Sequence, residues 1–181
     1  LTGTCSIQHA LRCAASVGGD TGSPRPDWVA AADVMRDVVD ESPGSFEPKA
    51  RCAMDWYYPA LTGALPHDAA KVRMADGWAT FAIEGRGIRC VSDEPWVTAS
   101  ETAEASLAFS AIGDTDTATE LLAWTRAHRR DDGSYHTGIV YPQQVTFPDA
   151  EHSSYTAAAV ILAADAITQA SPAAGLFTAP Q

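Results

Sequence analysis

Two kinds of apolar segment alternate along the chain. Four Ala-rich stretches begin near Cys5, Met54, Thr102 and Ser154. The last contains Ala157-Ala158-Ala159-Val160-Ile161-Leu162-Ala163-Ala164, which is apolar on every side. Between them, segments 28–41, 68–81 and 116–128 are apolar on one face only. In 28–41, Trp28, Ala31, Met35 and Val38 line one side, while Asp33, Arg36, Asp37 and Asp40 fall largely on the other. A period of 3.6 predicts amphipathic helices with one wet face, and the uniformly apolar stretches predict helices buried all round.

A glycine turn follows each amphipathic segment: Pro43-Gly44-Ser45-Phe46, Gly85-Arg86-Gly87-Ile88 and Asp132-Gly133-Ser134-Tyr135. Gly44, Gly87 and Gly133 recur 43 and then 46 residues apart, the length of one helical hairpin per repeat. Buried and half-exposed helices alternating at that period predict two concentric layers, an all-α fold of the α/α toroid type. About three and a half hairpins fit in residues 1–181, too few for a closed ring of units that bury their faces on neighbours. The expectation is therefore the C-terminal part of a single toroid domain, an incomplete ring completed by a missing N-terminal half or a second chain. Pro24 and Pro26 precede the helix at Trp28, where proline is tolerated. Asp114 or Thr115 is placed to cap the helix after Gly113, and Thr98-Ala99-Ser100-Glu101 has capping-box spacing.

Composition narrows the function classes. Alanine abundance and scarce Val/Ile/Thr alternation reinforce the helical reading. The net charge is −11, and only Arg126, Arg129 and Arg130 group together, which leaves nucleic-acid binding without its electrostatic footprint. The longest apolar run, 157–164, is too short to span a bilayer. Cys5 and Cys13 share a helix face roughly 12 Å apart, too far to bridge. With no C-x-x-C pair, the four cysteines read as buried free thiols in a reducing cytoplasm. No Gly-rich phosphate loop, G-x-S-x-G elbow or H-E-x-x-H pair occurs, so no cofactor or metal is expected.

Three clusters lie where the chain leads into the apolar helices, facing the predicted central cavity. The first, Met54 to Pro59, holds Asp55 with Trp56, Tyr57 and Tyr58: a carboxylate beside three aromatic faces suits a sugar ring or a carbocation. The competing reading makes Trp56 and Tyr57 core and Asp55 an N-cap. The second holds Asp93 and Trp96, followed by Glu101 and Glu104, three apart on one helix face. Glu101 has a competing use as the capping partner of Thr98. Glu104 has no local use among Ala, Ser and Leu, and a buried carboxylate is costly, so it is the stronger acid–base candidate. The third is the long segment with Tyr135, His136, Tyr141, Asp149, Glu151, His152 and Tyr155, which has little helical pattern. Asp55, Asp93 and Glu104 are thus the catalytic candidates. Trp56, Tyr57, Trp96, Tyr135, Tyr141, Glu151 and His152 are the ligand-binding candidates. Asp165, set among alanines, is expected to pair locally at a helix end.

Stretches 54–59, 90–104 and 132–166 resemble an actinobacterial family labelled prenyltransferase-like or terpenoid-cyclase-like. The Asp132-Gly133-Ser134-Tyr135 turn is similar to the Gly-aromatic repeat turn of squalene and hopene cyclases. The resemblance covers the whole chain as the C-terminal half of a longer protein. It implies the α/α toroid and a transferase or cyclase acting on an isoprenoid ligand. The cyclases' D-x-D-D motif is absent, and Cys90 with Asp93 and a later His136 or His152 does not reproduce the D-x-C spacing of zinc prenyltransferases. Only Lys49, Arg51 and Arg89 lie near the predicted cavity, few for a diphosphate. On the residues alone, acids flanked by stacking aromatics favour carbohydrate chemistry of glycosidase, lyase or epimerase type, with a non-catalytic binding or scaffold protein as the remaining reading.

Overall fold

Prolines and short polar side chains decide where the helices start. Pro26 stands in the first turn of α2 (Pro26–Glu41), which follows α1 (Thr2–Asp20). After α3 (Ala53–Leu61), α4 (His67–Phe81) and α5 (Ala99–Ala111), Gly113 takes a left-handed φ of 81° that stops α5. Asp114 then caps α6 (Thr115–Trp124), its carboxylate accepting the Thr117 N–H at 3.1 Å. Ser153 caps α7 (Ser154–Thr168) by accepting the Thr156 N–H at 3.2 Å. Thr98 is the N-cap of α5, but the expected capping box does not form. Its hydroxyl donates to the Glu101 carboxylate instead of accepting an amide.

The computed structural model describes residues 1–177. Consecutive helices pair as α1/α2, α3/α4 and α5/α6, and the odd-numbered helices pack side by side in chain order, α1–α3–α5–α7. The main core joins Tyr57 and Leu61 of α3, Leu107 and Phe109 of α5 and Val160 of α7 to Met74, Phe81 and Leu121 of the even helices. Residues 99–109 of α5 are buried apart from half-buried Glu101, because α3 and α7 flank the helix and α6 backs it. The even helices keep one wet face, as their pattern requires.

The expectation that 157–164 is buried all round needs correction. Tyr155 and Ile161 are 55 % and 66 % exposed, and Ala158 is exposed beside them. The helix packs mainly on α5, α6 and the turn after it, which leaves Tyr155, Ala158 and Ile161 on its exposed flank. At the opposite end of the series, α1 exposes Ile7 and Val17.

Short strands tie the loops together, where an all-helical reading has none: β1 (Ala82–Ile83) with β2 (Gly87–Ile88), and the antiparallel set β3 (Trp96–Thr98), β4 (Gly138–Val140) and β5 (Val145–Thr146). At two or three residues each they are too short for alternation to show. They serve the helix starts. The first amide of α3, Ala53 N–H, donates to the Cys90 carbonyl at 3.1 Å, and that of α5, Ala99 N–H, donates to the Thr137 carbonyl at 3.1 Å. Each orphan helix amide is thus satisfied by the loop ahead of the next odd helix.

All four cysteines are free, but only Cys5 is buried; Cys13, Cys52 and Cys90 are half-buried, which corrects the uniform buried-thiol reading. Asp165 pairs locally as expected, accepting the Ser171 N–H at 2.8 Å and the Ser171 hydroxyl at 2.6 Å. Among the described residues no helix is long and apolar enough to cross a membrane.

Candidate active site

Glu104 sits on the flank of α5 where α3 and α7 converge, and it is 8 % exposed. Tyr57 of α3 donates its phenolic hydrogen to Oε2, and Tyr155 of α7 donates to Oε1. Burial pushes the carboxyl's pKa up, the hydroxyls of Tyr155, Tyr57 and Tyr58 pull it back, and the Glu101 charge adds to the rise. The net direction is upward, towards a carboxyl able to hold a proton. The phenols remain donors: burial raises Tyr57 well above its usual range and lifts Tyr58 to about 12.

This acid opens on a cavity of about 320 Å³ to which every odd helix contributes: Ser6, His9 and Ala10 of α1, Tyr58 and Leu61 of α3 with Thr62 just after it, Leu107 of α5, and Tyr155, Ala158, Ala159 and Leu162 of α7. Phe177, after α7, completes it. The walls are apolar and aromatic, with one carboxyl and two phenols gathered at one place. Such a surface accepts a ligand with apolar faces and a few oxygens, and can deliver a proton to one of them. Among the described residues no cluster of three His, Cys, Asp or Glu side chains is placed to hold a metal ion.

The other acid candidates lie elsewhere. Asp55 is buried but turned to α1, accepting the Thr2 N–H at 3.2 Å and the Thr2 hydroxyl at 2.5 Å. With Trp56 it lines a separate groove of about 970 Å³ formed by α2, α3 and α4. It is not an N-cap either; Cys52 holds that position. Asp93 is exposed and paired with Arg51 at 2.7 Å, a contact that lowers its pKa.

The aromatic candidates divide similarly. Tyr57 belongs to the Glu104 site, whereas Trp56 is core, stacked on Phe81 at 5.3 Å with its indole N–H donated to the Arg73 carbonyl at 2.9 Å. Trp96 packs edge-on against Phe147 at 5.1 Å. Tyr141 is buried with the Arg86 guanidinium 5.2 Å from its ring, and Tyr135 is half-buried against the core. Glu151 and His152 are exposed; Glu151 accepts the Thr137 hydroxyl at 2.9 Å, and His152 bridges to His136 through the backbone.

Tyr58 and Tyr155, members of the first and third clusters, join the cavity together with His9, Leu162 and Phe177, which lay outside the clusters. Repeat register was the available signal for one of them. Tyr58 and Glu104 are each the sixth residue of their helix, so superposing the hairpins places both on the same inward face.

No protein-family model matches the chain. Over 177 residues it is 45 % identical to a protein of Mycolicibacterium hassiacum named MMP endo-(1,4)-3-O-methyl-alpha-D-mannosidase, a match covering 98 % of this chain and 49 % of that protein. The chain thus spans about half the length of the curated relative. This finding corrects the prenyltransferase-like and terpenoid-cyclase-like expectation, because the relative is named a glycosidase. Gly-aromatic turns mark helical hairpins, not the chemistry inside them. The carbohydrate alternative is the reading that agrees with the relative's name.

Proposed function

We propose that the Glu104 cavity belongs to a glycoside hydrolase that cuts within an α-1,4-linked, O-methylated mannose polymer. The observation that carries this reading is one carboxyl, buried at an aromatic cavity, raised in pKa and held by two phenols. Glu104 acts as general acid, protonating the glycosidic oxygen as the bond to the anomeric carbon breaks. Apolar walls around it suit the carbon faces of a sugar and its methyl ethers.

Glycoside hydrolysis uses a second carboxylate roughly 5 to 10 Å from the first. Asp55 and Asp93 face elsewhere. Glu101 is engaged by the Thr98 and Ser100 hydroxyls and the Cys90 thiol. Glu104 is the one carboxylate in the cavity lining among the described residues, and our reading has the second supplied from beyond that lining.

The same reading makes the chain the C-terminal arc of an α/α toroid, with α1, α3, α5 and α7 as its inner layer. The cavity shared by those four helices supports it, as do the apolar flanks exposed on α1 and α7. The first amide of α7, Ser154 N–H, also lacks the loop carbonyl that α3 and α5 have, among the described residues.

The test uses the complete protein and O-methylated α-1,4-mannooligosaccharides, with new reducing ends followed by mass spectrometry. Glu104→Gln is expected to lower kcat on the order of 10²- to 10⁴-fold with little change in KM. Full turnover by that variant ends the proposal.

A further inference from the structure

The segment after α7 is built to reach back across the helix series. Gln169 reverses the chain at a left-handed φ of 53°, and both carboxylate oxygens of Asp165 hold Ser171. A 3₁₀ turn, Pro172–Gly175, then buries Ala174. Phe177 lands on His9 of α1, the rings stacked at 5.0 Å and 16°. The tail thus joins α7 to α1, the two helices at opposite ends of the series.

Along α3, α5 and α7 the polar lining residues Tyr58, Glu104 and Tyr155 precede the apolar Leu61, Leu107 and Leu162, and we assign Phe177 and His9 to the apolar, closed end. Tyr155 and Leu162 are seven residues apart on α7, about 10 Å along its axis. The closed end offers ring faces and aliphatic carbons, with Leu61 and Leu107 beside them. A hydroxyl pressed against those carbons loses water and finds few polar atoms beside it: the Thr62 hydroxyl is donated to the Tyr58 carbonyl at 2.8 Å, and His9 Nδ1 is buried. A methyl ether has no hydrogen to leave unpaired and adds apolar contact.

We propose that Phe177 is a specificity-determining residue: through its stack on His9 it forms a floor that selects O-methylated over unmethylated sugar rings. This inference rests on the glycosidase reading of Glu104. Asp165 and Ser171 act through Phe177, as positioning residues outside the cavity.

The test compares kcat/KM of the complete protein on O-methylated and unmethylated α-1,4-mannooligosaccharides of equal length. Phe177→Ala is expected to reduce the preference for the methylated substrate by roughly 10-fold or more, mainly through KM of that substrate. Asp165→Asn, which leaves the lining untouched, is expected to move the ratio the same way. Phe177→Leu keeps apolar bulk and should retain more of the preference. A ratio within one preparation is unaffected by any misfolded fraction, since that lowers both rates equally. Wild-type turnover with the preference unchanged in Phe177→Ala and Asp165→Asn overturns the floor and leaves the glycosidase reading standing. Wild-type protein that cleaves neither substrate overturns both.

Discussion

Acidification should unfold this protein partly through one histidine. His128 ends the short 3₁₀ turn after α6, is fully buried, and has no hydrogen-bond partner on either ring nitrogen. Its carbonyl accepts the His136 N–H at 2.9 Å, tying this turn to the segment that leads towards α7. Burial, and then the neighbouring His136, push its pKa down from 6.5 to about 4. The unfolded chain takes up a proton near the ordinary value, while the folded chain refuses it until about pH 4. The linked stability is therefore complete above pH 6.5 and drains away as pH falls to 4. A gap of about two and a half pH units at 1.36 kcal/mol each amounts to about 3 kcal/mol. That is a large share of the roughly 5 to 15 kcal/mol that holds a typical domain together. His128→Leu removes the titrating group and the two unpaired nitrogens, so its stability at pH 7 should match or exceed wild type. Urea unfolding of both proteins at steps from pH 7 to pH 4 checks this, reading the difference between them. His9 and His136, also lowered by burial, remain in both proteins and largely cancel. Parallel loss of stability by wild type and variant across that window would refute the reasoning.

The pH profile of turnover gives a second check. Tyr155 holds the Glu104 pKa down, so Tyr155→Phe should raise it. A general acid works only while protonated, so the alkaline limb of kcat/KM should then move to higher pH; a limb that stays or moves lower contradicts the assignment. Gly77→Ala would place a methyl 2.2 Å from Nε1 and 2.3 Å from Cδ1 of Trp56, displacing the indole from Phe81. A loss of about 1–3 kcal/mol is expected, read as a lower Tm with altered tryptophan emission. Asp114→Ala removes the α6 cap and should cost about 1 kcal/mol in chemical denaturation. Asp93→Ala breaks only an exposed pair with Arg51, and both Tm and turnover should be unchanged.

The hairpins were legible because uniformly apolar and one-sided segments alternate, and a chain reports its own periodicity. The burial of Glu104 was legible because a carboxylate among alanines has no local employment. Asp55 misled because neighbours in sequence are not neighbours in space. Two helical residues on from it, Tyr57 points about 200° away around the axis, towards Glu104 rather than Thr2. Trp56 and Trp96 read as sugar platforms, yet aromatic faces serve core packing equally well. The open flank of α7 was invisible because an apolar helix announces that it is to be covered without saying by what. Phe177 was beyond the pattern altogether, since its place depends on the Asp165–Ser171 clamp and a left-handed reversal at Gln169.

The Ala53–Cys90 and Ala99–Thr137 backbone links bear on how the cavity's mouth deforms. Each connecting segment is fastened to the helix of the preceding hairpin, so these helix starts are laced to one another rather than left as independent flaps. The links are main-chain bonds that side-chain replacement leaves intact. The 89–97 connection is thus bonded to the start of α3 and leads directly into α5, so a change in its length bears on both helices at once.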